Sequence, residues 1–279
     1  MFRPFVGAAL LCGALLAASP AAAAESCTRA DLQSAVDSYL AAQTAGDPAR
    51  MALAPTVAYA ENRQAADIKA GILHNPQKID FHRSLLDTSS CESFTEVIVT
   101  NPAHPYVLGT RLRLAGGKVA KIDSLVTDYG DWLFSAANTL KYSSAEQWTV
   151  IPEERRPTRA QILAAANAYL DLFHDKNVAV PWGRPCARLE GGLYTGKGLP
   201  DDTCNVGVPS GIDLANRHYI VDEQLGAVAT LLEFGPTRLP DSHTFRIEDG
   251  RIRYVHTITV CPTFNCGFPL PDQLKPAQP

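Results

Sequence analysis

Several kinds of segment are missing from this sequence of 279 residues, and each absence limits what the protein can be. No apolar run after Ala18 approaches the roughly 20 residues of a membrane-spanning helix, so we expect no transmembrane segment. Lysine and arginine form no basic stripe, which argues against nucleic acid as a partner. There is also no close Cys-x-x-Cys pair with a partner pair, no Gly-x-Ser-x-Gly elbow and no phosphate loop. These absences argue against a thiolate metal site, a serine-hydrolase elbow and a nucleotide cofactor.

The first 24 residues have the features of a secretory signal peptide. Arg3 precedes an apolar run through Ala18, and small residues end at Ala24, where we expect cleavage. Cys12 follows two leucines instead of the small residues that a lipoprotein signal needs, so no membrane anchor is expected. Removing this segment changes the formal charge from −4 to −5. The mature protein is therefore expected to be soluble and either secreted or periplasmic.

Six cysteines remain after the signal segment, and an even number in an exported protein favours disulfide bonds. Their spacing suggests two short bridges and one long bridge. Six cysteines allow fifteen pairings, so proximity only favours this arrangement. The expected pairs are Cys27 with Cys91, Cys186 with Cys204, and Cys261 with Cys266.

The chain repeats one pattern twice. Thr28 and Asp31 have the spacing of a helix-capping box, and Thr158 with Gln161 repeats that spacing. Each cap opens a helical stripe of apolar residues, and several segments of alternating polarity separated by turn residues follow. The period of about 130 residues is too long for a solenoid and indicates a tandem duplication. We assign a first domain to residues 25–152, mainly structural, and a second domain, the candidate active-site domain, to residues 153–279.

The most informative segment of the second domain is a predicted β-hairpin around the Asp249-Gly250 turn, a dipeptide that accepts positive φ at both positions. A regular register would place His243 opposite His256. Side chains alternate along a strand, so Asp241 and Tyr254 would share the face of the two histidines. A titratable cluster on an otherwise apolar face is a candidate acid–base site, although such a pair also occurs as a purely structural feature. The predicted catalytic residues are His243, His256, Asp241 and Tyr254.

Other polar and aromatic side chains of the second domain are candidate substrate-binding residues. Arg246 lies on the opposite face from His243 by parity, so we expect it to pair with Glu190 or Asp222. An alternative metal site of Asp241, His243 and His256 ranks lower, because aromatic side chains would crowd it. The first domain could also supply Tyr129 and Trp132 to the pocket. The candidate substrate-binding residues are Phe245, Arg188, Glu190, Asp222, Trp182 and Tyr219.

Several motifs resemble the SnoaL-like branch of the nuclear transport factor 2-like superfamily. They are Tyr39-Leu40 followed by Asp47-Pro48, the segment Leu53 to Val57, Glu61-Asn62, and the Gly-Lys/Arg-Val/Ile turn before each final strand. The resemblance implies an α+β fold of two tandem cone-shaped domains. In each domain a curved antiparallel sheet would surround an apolar pocket, with N-terminal helices packed over it.

The same resemblance implies either small-molecule acid–base enzymes or non-catalytic binding and dimerisation modules. The expected function is an exported, cofactor-free lyase or hydrolase that acts on a small aromatic molecule. Cleavage of a β-aryl ether bond in lignin-derived compounds is the specific hypothesis. The alternative is a non-catalytic periplasmic module that binds a small apolar molecule or forms a homodimer.

Overall fold

The computed structural model describes Met1 and residues 27–275, so the expected signal peptide lies outside the described residues apart from its first methionine. Two six-stranded sheets follow each other along the chain, each preceded by a long helix. The first set is α1 Arg29–Ala45, β1 Leu53–Glu61, β2 Gln64–Ala65, β3 Phe81–Asp87, β4 Glu92–Val99, β5 Tyr106–Ala115 and β6 Lys118–Thr127, followed by α2 Ala136–Ser143. The second set is α3 Arg159–Leu172, β7 Trp182–Glu190, β8 Leu193–Tyr194, β9 Leu214–Asp222, β10 Ala227–Phe234, β11 Leu239–Glu248 and β12 Arg251–Thr259.

The two sheets have the same strand order, β2-β1-β6-β5-β4-β3 and β8-β7-β12-β11-β10-β9. This confirms the α+β class and the two tandem units. The sequence predicted antiparallel sheets, and the strands from β3 to β6 and from β9 to β12 do form antiparallel meanders. One pair in each sheet is parallel, however, because β1 joins β6 and β7 joins β12 after long excursions of the chain.

Each long helix begins where its capping residues predict. Thr28 accepts a hydrogen bond from the backbone of Asp31, whose side chain binds back to the Thr28 backbone. Thr158 and Gln161 form the same reciprocal box at the start of α3. These boxes satisfy backbone donors that the first turn of a helix leaves free. They fix both helices at equivalent places in front of their sheets.

Both faces of each sheet are buried, one under its helix and the other against the second sheet. The layer between the sheets includes Phe94 and Leu125 from the first sheet and Ile220 and Ile258 from the second. Gly109 lies in this layer, where an added Cβ would come within 2.9 Å of the Phe94 ring and within 3.1 Å of Ile258 of the second sheet. The close approach of the two sheets therefore requires a residue without a side chain at this position.

Two reciprocal ion pairs join the halves. Arg29, the first residue of α1, donates two hydrogen bonds of 2.9 and 2.8 Å to the buried carboxylate of Asp222 at the end of β9. Arg159, the first residue of α3, does the same to the buried carboxylate of Asp87 at the end of β3. Each half thus anchors its helix to the other half's sheet, which gives the interface an approximate two-fold symmetry.

All three expected disulfide bonds are present: Cys27–Cys91, Cys186–Cys204 and Cys261–Cys266. The first ties the segment before α1 to the turn before β4. The second joins β7 to the loop between β8 and β9, and the third closes a short loop after β12. Within Met1 and residues 27–275, no helix combines the length and apolarity needed to cross a membrane.

We expect Asp222→Ala to lower the free energy of unfolding by about 2–4 kcal/mol, because it removes a buried carboxylate that binds Arg29 and two backbone N–H groups. The partial exposure of Arg29 limits the loss. Urea denaturation measures it, with the exposed loop variant Asp201→Ala as the matched control. Equal stability of the two variants would contradict a structural role for the reciprocal pairs.

Candidate functional site

A β-bulge decides the direction of the side chains on β12. The Asp249–Gly250 turn has positive φ at both residues, as predicted. Just after it the register shifts and Arg253 becomes an extra residue with no partner on β11. His243 consequently pairs with Thr257 and not with His256. The predicted face-to-face histidine pair is therefore wrong, because one inserted residue moves the rest of the strand to the other face.

The bulge divides the predicted catalytic residues between the two faces of the sheet. Asp241 and His243 face α3, whereas Tyr254 and His256 face the first half, where Trp148 contacts both rings. The alternative metal set of Asp241, His243 and His256 is divided in the same way. Within the described residues no three His, Cys, Asp or Glu side chains are arranged to hold a metal ion.

A cavity of about 290 Å³ lies between α3 and the second sheet. Its wall is mainly aromatic and aliphatic, with polar side chains on β7, β11 and β12. Trp132 of the first half also lines it, as the sequence suggested, whereas Tyr129 does not. The lining residues are Trp132, Tyr169, Phe173, Arg188, Glu190, Gly207, Pro209, Ile212, Phe234, Leu239, Asp241, His243, Thr257, Thr259, Cys266 and Phe268.

Asp241 and His243 form a hydrogen-bonded pair in the cavity wall. The Asp241 carboxylate lies 2.7 Å from His243 Nδ1 and accepts a second bond of 2.6 Å from the Thr259 hydroxyl. An ionised carboxylate only accepts, so Nδ1 carries the proton and Nε2 of the neutral ring keeps its lone pair. His243 Nε2 makes no hydrogen bond within the part of the chain that the structure describes. This is the geometry of an oriented general base.

Arg188 and Glu190 form an ion pair beside the histidine. Arg188 also donates to the backbone carbonyls of Cys204 and Val206, which hold the guanidinium against the long loop after β8. Its Nε and the Thr257 hydroxyl are buried without a hydrogen-bond partner among the described residues. Buried polar groups are normally satisfied, so these two atoms are free to bind a polar group of a molecule in the cavity.

Tyr169 is a cavity residue that the sequence placed only in the apolar stripe of α3. Its ring lies 5.8 Å from the His243 ring and 5.2 Å from Phe245. Burial raises the pKa of the Tyr169 hydroxyl, which Arg188 lowers and Asp241 raises to smaller extents. The group therefore stays protonated and can donate a hydrogen bond. The helical spacing that identified this residue gave no sign of a functional role.

The first half has the same scaffold but a filled interior. Counting from the two hairpin turns, Leu108 and Thr110 occupy the positions of Asp241 and His243. Thr110 binds the hydroxyl of Tyr39, the equivalent of Tyr169, at 2.8 Å, and Leu108 is fully buried in the core under α1. The polar pair is thus specific to the second half. Aligning the two halves by their turns would have identified these positions.

The remaining candidate binding residues have other contacts. Arg188 and Glu190 line the cavity, but Phe245 and Trp182 pack against the Tyr169 ring in the core. The Tyr219 hydroxyl donates to Asn167 of α3 at 2.6 Å. Asp222 binds Arg29 in the interface between the halves. These four predictions of cavity contact are not met, because strand parity alone cannot tell a cavity wall from a filled core.

Arg246 lies on the face opposite His243, as parity predicted. The prediction that Arg246 pairs with Glu190 or Asp222 was wrong. Arg246 instead pairs with Glu248 on its own strand and donates to the backbone carbonyl of Leu225. Both partners lie close to it in the sheet, which explains why a more distant carboxylate is not used.

His256 belongs to a buried ionic cluster between the halves. Its Nδ1 lies 3.1 Å from Glu96 and its Nε2 lies 2.7 Å from Glu146. Ser143 of α2 donates to Glu96 at 2.9 Å, and the Trp148 ring nitrogen donates to Glu146 at 2.8 Å. Both nitrogens of the imidazole are engaged by carboxylates, so we assign His256 a structural role at the interface.

The cluster sets opposite pKa shifts on its members. Burial lowers the pKa of His256, but Glu146 and Glu96 outweigh it and the net pKa is raised to about 9. Burial raises the pKa of Glu96, but His256 and Arg83 outweigh it and the net pKa is lowered to about 2. An imidazolium between two carboxylates is therefore the stable state at neutral pH.

We expect the stability that His256 contributes to depend on pH. Because its folded pKa is raised, the contribution is complete below about 6.5 and is lost as pH rises through about 9. Denaturant unfolding of wild type and His256→Gln at pH 6, 8 and 10 measures it. The difference in free energy of unfolding should shrink steadily across this range. A difference that stays constant from pH 6 to 10 would refute the assignment of a charged His256.

Residues 155–259 match a family model described as Domain of unknown function (DUF8021). No curated protein matches the chain. One solved structure similar to it is an NTF-2 like protein of unknown function from Burkholderia xenovorans LB400, with 15% sequence identity and a TM-score of 0.29. The similarity covers 36% of this chain and 84% of that one. The DUF8021 match spans β7 to β12 and therefore includes the Asp241–His243 pair.

Proposed function

We propose that the second half is an acid–base lyase or hydrolase that takes a small, largely apolar molecule into its cavity, with His243 as the general base. The observation that carries the proposal is the Asp241–His243 pair in the cavity wall, at positions where the duplicated first half has Leu108 and Thr110 in a filled core. A carboxylate that fixes the tautomer of a histidine next to a cavity is a recurrent arrangement in proton transfer.

The ligand should be small and without negative charge. A volume of about 290 Å³ is at the lower end of small-molecule sites, and aromatic and aliphatic side chains cover most of the wall. Arg188 and Glu190 neutralise each other, which leaves the Asp241 carboxylate as the uncompensated charge when His243 is neutral. An anionic substrate would meet like charge in a low-dielectric site, whereas a neutral aromatic ring would not.

Two groups divide the proton transfer in this proposal. His243 Nε2 removes a proton from the substrate, and Asp241 stabilises the imidazolium that forms. Tyr169 donates a hydrogen bond to the oxygen on which negative charge develops, since its raised pKa keeps it protonated. The electron pair of the broken carbon–hydrogen bond forms a carbon–carbon double bond as the adjacent carbon–oxygen bond breaks. The leaving oxygen then takes the proton held on His243 and departs as an alcohol or a phenol. Both steps use groups that the cavity wall already contains.

This chemistry suits elimination or ether cleavage in a small aromatic molecule, and we propose β-aryl ethers of lignin-derived compounds as the substrate class. A phenolate is a better leaving group than an alkoxide, so a single oriented base is sufficient. The three disulfide bonds favour an oxidising compartment, which supports a secreted or periplasmic location. A small lignin-derived aromatic compound would encounter the protein in that compartment.

The test is turnover of a β-aryl ether dimer by the disulfide-intact protein, with His243→Gln, Asp241→Asn and His256→Gln beside wild type. We expect His243→Gln to lower kcat/KM by about 100-fold or more, the usual contribution of a general base, and Asp241→Asn to lower it less. His256→Gln should keep its activity at temperatures where it stays folded, because its ring lies outside the cavity. Turnover that survives in His243→Gln would overturn the assignment of the base.

Binding measurements separate the enzyme from its alternative. Wild type that binds the aromatic probe saturably, without turnover, would indicate the non-catalytic binding module. In that case His243→Gln should change only the affinity for the aromatic probe. A parallel reaction with a chelator should give the same rate as the reaction without it, since the proposed steps use only side chains.

A further inference from the structure

Four aromatic side chains lie in pairs on two chain segments that border the cavity, and we call them the aromatic ledge: Tyr129, Trp132, Phe264 and Phe268. Tyr129 and Phe264 have ring centroids 5.5 Å apart, and Trp132 meets Phe268 edge to face at 5.6 Å. Three of the four are strongly exposed, Tyr129 to 72%, Phe268 to 61% and Phe264 to 48%. Clustered exposed aromatic residues of this kind usually mark a binding site.

Buried polar contacts hold the ledge in place. Its two segments, before α2 and after β12, meet at Asn265, which is fully buried. The Asn265 side chain accepts a hydrogen bond from the Leu133 backbone at 2.8 Å and donates one to the Phe268 carbonyl at 2.9 Å. The Cys261–Cys266 disulfide closes the second segment beside this asparagine. These contacts therefore hold the two segments that carry the exposed rings in a fixed position.

The backbone under the ledge is in an unfavourable conformation. Leu133, Asn265 and Cys266 all have positive φ, between 47° and 52°, although none of them is glycine. Such conformations cost free energy and are found where surrounding contacts enforce them, often at binding sites. A strained support that turns apolar rings toward solvent has no evident benefit for the stability of the fold.

The ledge is continuous with the cavity, because Trp132, Cys266 and Phe268 line the cavity as well. A molecule with one ring beside His243 can therefore place a second ring against Trp132 and Phe268. We propose that the aromatic ledge is a second subsite that binds the ring on the leaving-group side of the substrate. This rests on the proposed function and narrows its substrate class to two-ring aromatic ethers.

The experiment compares the affinity of two probes, a dimer of two methoxyphenol rings joined by a β-aryl ether and the single-ring methoxyphenol. Tyr129→Ser and Phe264→Ser alter rings outside the cavity. We expect each to weaken binding of the dimer by about three- to tenfold, the effect of one lost ring contact, and to leave the single-ring affinity unchanged. Val150→Ser, which removes an exposed apolar side chain elsewhere, should change neither affinity.

Three outcomes would overturn the inference. Unchanged dimer affinity in both variants would show that the ledge does not bind the second ring. Equal loss of affinity for both probes would place the effect in the cavity. If the wild-type protein sediments as a homodimer and Tyr129→Ser sediments as a monomer, the ledge is a contact between two copies of the chain. If Phe264→Ser melts at a lower temperature than wild type, Phe264→Leu replaces it, with the same expected loss.

The binding and turnover measurements distinguish a failure of the second subsite from a failure of the proposed function. Turnover with no effect of the ledge variants would leave the acid–base site intact and remove only the second subsite. Weakened dimer binding in those variants, without turnover in wild type, would establish the ledge as a ring-binding surface of a non-catalytic module.

Discussion

The extra residue that a β-bulge adds to β12 sets the direction of every side chain from Tyr254 to Thr259. Without Arg253 in that position, His256 would enter the cavity and Thr257 would face the first half. With it, one face of the second sheet carries the oriented Asp241–His243 pair and the other carries the histidine that joins the halves. The first half has the same bulge at Ala120. The division of the sheet into an inner and an interface face therefore belongs to the duplicated scaffold itself.

The duplication gives one scaffold two different interiors. In the first half, Thr110 satisfies the Tyr39 hydroxyl and aliphatic residues fill the space under α1. In the second half, the equivalent tyrosine faces a histidine, and a cavity remains between the helix and the sheet. A filled core is the more stable arrangement, because a cavity forfeits dispersion contacts.

Charge burial between the two halves follows one rule: each buried ionic group discussed there has a partner of opposite sign. Asp222 and Asp87 bind arginines from the other half, and His256 lies between Glu96 and Glu146. Breaking such pairs is costly, so they specify how the halves fit together. In the cavity wall, the Asp241 carboxylate instead binds the His243 ring and the Thr259 hydroxyl. A carboxylate–histidine pair beside a largely apolar wall is the physical signature of the candidate site.

The sequence by itself determined the duplication, both capping boxes, the strand segments and the hairpin turn, and it favoured the disulfide pairing that the structure has. These depend on contacts between residues close in the chain, or on cysteine spacing, and short patterns report them directly. The sequence also named Asp241, His243, Arg188 and Glu190. Only the tertiary structure decided that His256 and Tyr254 belong to the interface and that Tyr169 faces the cavity. A bulge has no reliable sequence signal, and one residue of shift reverses a strand's faces. Whether a buried position borders a cavity or a core depends on side chains from distant elements, which no local pattern encodes.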